Sequence, residues 1–182
     1  MKKSRLGLLQ TKILETPILN ILNYQMQIAS ISSRVVRVAR GRGVVFFGTR
    51  RIQGFEAAMS AVKATYITGN VAHSNLMGEY FYNLKSIGTM THSYIQSFGV
   101  TRNSEYEAFE SFIKVHKEKK RSLIMLIDTY DTLKIGIKNA VKVFKNNGID
   151  DNYGGIYGIR IDSGDLAETS KACRKILKEN GF

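Results

Sequence analysis

The sequence predicts an α/β fold, a parallel sheet or barrel with crossover helices, on two main observations. Short apolar runs of β-forming residues alternate with helical stretches from Val44 to Glu179, which implies parallel strands joined by helices. Uncommon polar residues then collect just after those apolar runs, the edge where α/β proteins gather their ligand-binding loops. No repeat of fixed period and no Pro- or Ser-rich linker divides the chain.

From Leu8 to Ala39 apolar residues recur at helical spacing, with Thr16 and Pro17 as N-cap and first helical residue. This predicts a short helix, a break, and a long helix over 17–38. Gly41 and Gly43 bracket a turn, and Val44-Val-Phe-Phe47 reads as a strand buried on both faces. Arg51 to Ile67 is helical. Extended pieces at 69–72 and 85–87 are followed by helices at 74–82 and 92–98. Residues 105–116 read as a helix, 123–127 as a buried strand, 132–146 as a helix closed by Asn147-Gly148, 156–161 as a strand and 166–179 as a helix.

The 182 residues are 43% hydrophobic and 23% charged, with one Pro and no Trp, a globular composition that excludes disorder. The net charge of +12 favours a phosphate-bearing partner. Its basic excess is eight over residues 1–60, three over 61–121 and one over 122–182, so it belongs to the front end. A single cysteine, Cys173, excludes an intrachain disulfide and fits a reducing compartment, with cytoplasm the default. Gln10, Lys12 and Glu15 interrupt the apolar stretch that a signal peptide would need after Met1-Lys-Lys-Ser-Arg5. No run approaches the about 18 apolar residues of a membrane span, so no membrane partner is expected.

Five polar clusters follow the five predicted strands: Phe47-Gly-Thr-Arg50-Arg51, His73-Ser74-Asn75, Gly88-Thr89-Met-Thr-His92-Ser93, Asp128-Thr-Tyr-Asp131 and Arg160-Ile-Asp162-Ser-Gly-Asp165. Together they describe one site rich in Arg, His and Asp. Arg50 and Arg51 open a predicted helix, where cations are disfavoured by the dipole, and so read as an anion clamp. His92 lies in a loop feeding a helix N-terminus, a place suited to phosphate. Asp128, Asp131, Ser163 and Asp165 are equally able to cap the helices that follow them. Asp162, beside Arg160, has no such structural explanation. Arg34, Arg37 and Arg40 share one helical face and read as a solvated face or subunit contact, and Lys114–Arg121 as a solvated helix end. Aromatics are not interleaved with these runs, which disfavours nucleic acid. Cys173 has no neighbouring His or acid to activate it and is assigned no chemistry.

In order and spacing, Glu15-Thr-Pro-Ile-Leu-Asn-Ile-Leu-Asn-Tyr-Gln25, Phe47-Gly-Thr-Arg-Arg-Ile-Gln-Gly54, Gly88-Thr-Met-Thr-His-Ser93, Ile127-Asp-Thr-Tyr-Asp-Thr132 and Gly158-Ile-Arg-Ile-Asp-Ser-Gly-Asp-Leu166 resemble nicotinate phosphoribosyltransferase. The resemblance implies a partial α/β barrel of the type II phosphoribosyltransferase kind. It would comprise an N-terminal helical segment over 1–40 and an incomplete barrel domain over 41–182. It implies an enzyme that joins nicotinate to phosphoribosyl pyrophosphate, with ATP hydrolysis, to form nicotinate mononucleotide for NAD synthesis.

The same resemblance distributes roles. Phe47 would stack on the pyridine ring, and Arg160 with Thr89 would hold its carboxylate. Arg50 and His92 would lie near the pyrophosphate, His92 matching the histidine that the family phosphorylates from ATP, with Ser93 beside it. Asp162 would face the ribose. Asp128, Asp131 or Asp165 would orient His92 or approach magnesium pyrophosphate (Mg2+), with no metal site of the protein's own assigned. Ser74, neutral where the related nicotinamide enzyme has an acid, would favour the acid substrate. The family has Gly-Thr-Ser-Asn where this chain has Ala72-His73-Ser74-Asn75, so an imidazole stands in place of Gly-Thr.

Family members are longer, and the expected chain is the central part of such an enzyme, acting as a homo-oligomer or with a complementing chain. A non-catalytic remnant or one half of a split enzyme is the alternative reading, and a basic nucleic-acid-binding module a minor one.

Overall fold

The computed structural model describes the backbone of residues 5–101 and 103–182, with side chains from Thr11 onward. The basic stretch Met1–Ser4 lies outside the described residues. The chain forms two compact units, Met1–Gly88 and Thr89–Phe182.

The first unit begins with α1 (Arg5–Val38), one continuous helix that contains Pro17. The expected break at Thr16-Pro17 is absent. A helix-interior proline leaves the carbonyl four residues earlier without its donor; here that residue is Ile13, on an exposed stretch of α1 where water can take the bond. The helix packs through a stripe at helical spacing, Tyr24, Ile28, Ser32 and Val36. Its partner is α2 (Phe55–Ile67). The Tyr24 hydroxyl donates to the Ala57 carbonyl at 3.1 Å, and Ser32 Oγ donates to Asn70 Oδ1 at 2.6 Å. Gly69, at φ +103°, leaves the space that Val36 occupies, since a β-carbon there would lie 3.2 Å from Val36 Cγ1. Arg34, Arg37 and Arg40 are exposed.

β1 (Val45–Phe46) and β2 (Ala72–His73) pair in parallel, with Phe46 opposite His73 and α2 as the crossover. The expected strand over 85–87 contracts to a single bridge, Ser86 against His73. α3 (Leu76–Tyr82) starts at Asn75, whose side chain accepts from the amides of Met77 and Gly78.

The second unit holds α4 (His92–Gln96), α5 (Ser104–His116), β3 (Leu123–Leu126), α6 (Ile137–Asn146), β4 (Tyr157–Arg160) and α7 (Leu166–Glu179). β3 and β4 are parallel, with Leu126 opposite Arg160. Leu123, Met125, Leu126 and Ile127 are wholly buried among Phe109, Ile113, Ile137 and Phe144. Each such side chain contributes about 1.5–3 kcal/mol. Before α6, Thr132–Gly136 forms a π turn rather than the start of an uninterrupted α-helix. Among the described residues the four strands form two separate parallel pairs. Cys173 is a buried free thiol, pushed up by desolvation. Among the described residues no helix is long and apolar enough to cross a membrane.

Candidate active site

Each unit carries expected site residues at the carboxyl ends of its own strands. In the first, Phe47 and Ser74 directly follow the paired residues Phe46 and His73, and the Ser74 amide donates to the Phe46 carbonyl at 3.0 Å. Phe47 is partly exposed. Arg50 and Arg51 are exposed in a 3-10 turn, Thr49–Arg51, and α2 begins only at Phe55. They do not open a helix, so the dipole argument for an anion clamp does not apply to them.

His73 is 3% exposed. Its Nδ1 accepts from the Asn75 amide at 3.2 Å, and its ring abuts Gly78 so closely that a β-carbon there would meet both His73 Cε1 and Val62 Cγ1 at 2.9 Å. The imidazole fills space between α2 and α3. Burial pushes its pKa down, against smaller opposing effects from Leu84 and Glu79.

In the second unit, residues from three stretches of the chain, 89–92, 128–129 and 160–163, come together. Asp128, just past β3, has a side chain only 1% exposed. Its Oδ2 accepts from the Asp162 amide at 3.0 Å and from Ser163 Oγ at 2.6 Å. Arg160, the last residue of β4, donates to Asp162 Oδ2 at 3.0 Å and to Thr89 Oγ1. His92, the first residue of α4, has Nδ1 hydrogen-bonded to Thr129 Oγ1 at 3.1 Å. Its Nε2 faces Asp162 Oδ2 at 3.7 Å and Asp128 Oδ1 at 3.9 Å. These two separations suit attraction to an imidazolium but exceed hydrogen-bond length.

Such a group has defined chemical capacities. The ring is oriented at one nitrogen, the other looks onto two carboxylates, and a guanidinium lies beside them with one edge tied to Asp162. Sequence reasoning placed Thr129 inside the Asp128–Asp131 cluster but gave it no role of its own; its signal was only its place beside Asp128.

The secondary candidates separate. Asp131 caps the π turn by accepting from the Lys134 amide at 2.9 Å, and Asp165 caps α7 by accepting from the Glu168 amide at 3.0 Å. Capping accounts for both. Ser93 Oγ and Thr91 Oγ1 are hydrogen-bonded at 2.8 Å, and Thr91 also caps the Tyr94 amide at 3.2 Å. Among the described residues no group of three or more His, Cys, Asp or Glu could hold a metal ion.

No family model matches the chain. It is 39% identical over 175 residues to a nicotinate phosphoribosyltransferase of Bacillus subtilis, an alignment covering 96% of this chain and 34% of that protein. The chain is homologous to part of nicotinate phosphoribosyltransferase. The nicotinate phosphoribosyltransferase pncB2 of Mycobacterium tuberculosis is 38% identical over 96% of the chain and 35% of its own length. A nicotinate phosphoribosyltransferase of Arabidopsis thaliana is 31% identical over 91% of the chain. The crystal structure of human nicotinic acid phosphoribosyltransferase shares the fold, with a TM-score of 0.69 and 23% identity over 94% of this chain and 42% of that one. The chain thus spans about a third of the length of its nicotinate phosphoribosyltransferase relatives.

Proposed function

We propose that the chain acts as part of a nicotinate phosphoribosyltransferase, forming nicotinate mononucleotide from nicotinate and phosphoribosyl pyrophosphate with ATP hydrolysis. One observation carries this reading: Thr89, Arg160, Asp162 and Asp128, which match the family's motifs, form a continuous hydrogen-bonded chain, and His92 faces its two carboxylates.

In this reading Arg160 and Thr89 hold the carboxylate of nicotinate, and Phe47 covers its ring. Ser74 presents no charge to repel that carboxylate. Asp162 favours the positive charge that develops at the anomeric carbon as the C–O bond to pyrophosphate breaks and the C–N bond to the pyridine forms. His92 takes the terminal phosphoryl group of ATP: a P–N bond forms, the P–O bond breaks and ADP leaves. Thr129 fixes the ring for that step. Arg50 meets pyrophosphate, with which magnesium arrives as part of the substrate. The chain is read as one part of a cytoplasmic homo-oligomeric enzyme, completed by the further length that the relatives have.

The test measures nicotinate mononucleotide formation from the three substrates, using the 182-residue chain alone and with the remainder of the Bacillus subtilis relative supplied as a second polypeptide. Product should form, and His92→Ala should uncouple it from ATP consumption. No product under either condition overturns the reading.

A further inference from the structure

The second unit encloses two acidic side chains. Glu105, in the first turn of α5, is wholly buried; its Oε2 accepts from Asn139 Nδ2 on α6 at 2.9 Å, and burial chiefly pushes its pKa up to about 7. It belongs to the packing of α5 on α6. Asp128, its side chain 1% exposed, is enclosed instead within the candidate site.

The partners of Asp128 are uneven. Oδ2 takes two donors, the Asp162 amide at 3.0 Å and the Ser163 hydroxyl at 2.6 Å. Oδ1 is buried with no hydrogen-bond partner among the described residues, and it faces His92 Nε2 at 3.9 Å. The torsion that turns an aspartate carboxyl has broad preferences, so donors rather than a rotamer well decide where its two oxygens stand. The group is planar, and a fixed Oδ2 therefore fixes Oδ1. Asp162 Oδ2, the other acid oxygen near Nε2, is held separately by Arg160 at 3.0 Å.

Helix capping does not account for the Ser163 hydroxyl. The cap of α7 is Asp165, which accepts from the Glu168 amide at 3.0 Å. Ser163 is exposed on the turn before that helix and reaches back 35 residues to Asp128.

We propose that Ser163 is a positioning residue for His92: its hydroxyl fixes Asp128 Oδ2 and so holds Oδ1 where it faces the imidazole. The proposal rests on the reading of His92 as the phosphoryl acceptor. A carboxylate oxygen held near Nε2 favours the positive charge that the ring gains as the P–N bond forms. Ser163 thus reaches the reacting nitrogen through Asp128, without touching it.

The experiment records the His92 Nε2 15N signal and the Asp128 side-chain carboxyl 13C signal of the full chain at one fixed pH. Ser163→Ala should shift both, because Oδ2 keeps only the amide donor and the carboxyl turns. Ser163→Thr keeps the hydroxyl, has solvent for its added methyl, and should restore both signals to the parent positions. Asp165→Ala removes the cap of α7; it should lower the urea midpoint and leave the two signals in place. Parent signals in Ser163→Ala overturn the proposal. So does a shift of equal size in Ser163→Thr, which would deny the hydroxyl a role, or in Asp165→Ala, which would make the effect a general loosening of the turn. These signals require no turnover, so a chain without transferase activity would sink the functional reading alone.

Discussion

Gly136 lies directly against the main-chain carbonyl of Ile127: a β-carbon at position 136 would stand 1.9 Å from that oxygen. The contact joins the end of the π turn to the residue immediately before Asp128. Gly136→Ala should therefore destabilise the second unit by at least the about 1–3 kcal/mol typical of overpacking, since backbone rather than a flexible side chain must move. Urea unfolding measures this. Gly88→Ala is the control, because a β-carbon there meets nothing within 4 Å and its φ is not positive. Equal midpoints for the two variants would refute the argument.

Thr129 orients His92 across 37 residues of chain. Thr129→Val keeps the shape and removes the hydroxyl, at a cost of about 1 kcal/mol for the lost hydrogen bond. The 15N shifts of His92 should change from one dominant tautomer to a mixture, whereas Thr129→Ser should keep the parent pattern. A pure tautomer in Thr129→Val would show that something else holds the ring.

Glu105 makes stability depend on pH. Its folded pKa, about 7, lies above the ordinary 4.5. Between those values the native state holds a proton that the unfolded chain has released, so stability is fully present below about 4.5 and falls as pH rises through 7. The full loss is on the order of 3 kcal/mol. Chemical unfolding over this range should show the decline in the parent chain and a flatter profile in Glu105→Gln.

His73 should act with the opposite sign. Its folded pKa is lowered by burial, so the unfolded chain takes up the proton first as pH drops below the ordinary imidazole value of about 6.5. The first unit loses stability in that direction. His73→Leu should remove the acid-side slope of an unfolding signal specific to that unit, and an unchanged slope would rule His73 out as its source.

Much of this arrangement was legible in the sequence. Leu123–Leu126 and Tyr157–Arg160 announced themselves as short apolar β-forming runs, and Asp165 with Leu166–Glu179 as a capped helix, because those signals are local. His92, Asp128, Arg160 and Asp162, which the structure brings together on the second unit, could be picked out because each stands at the end of a strand, just past one or at a helix start. Other features depend on distant partners. Pro17 normally ends a helix, and only the exposure of α1 at Ile13 lets it continue. Glu105 looks like an ordinary first-turn acid until Asn139, 34 residues away, turns out to be its partner.

The π turn at Thr132–Gly136 has a consequence for insertions and deletions. A π turn accommodates one residue more than an α turn, and each α-helical residue advances the helix by about 100°. Removing one residue from 132–135 would close the turn to α geometry and leave α6 close to its present phase, because the residue removed is the one the wider turn holds in excess. A deletion at 137 or 138, inside the regular helix, has no such slack and would swing Asn139 away from Glu105 by about 100°. The π turn is therefore the place where this part of the chain can absorb a change of length, so a single-codon deletion there would leave the helix packed on the sheet as before.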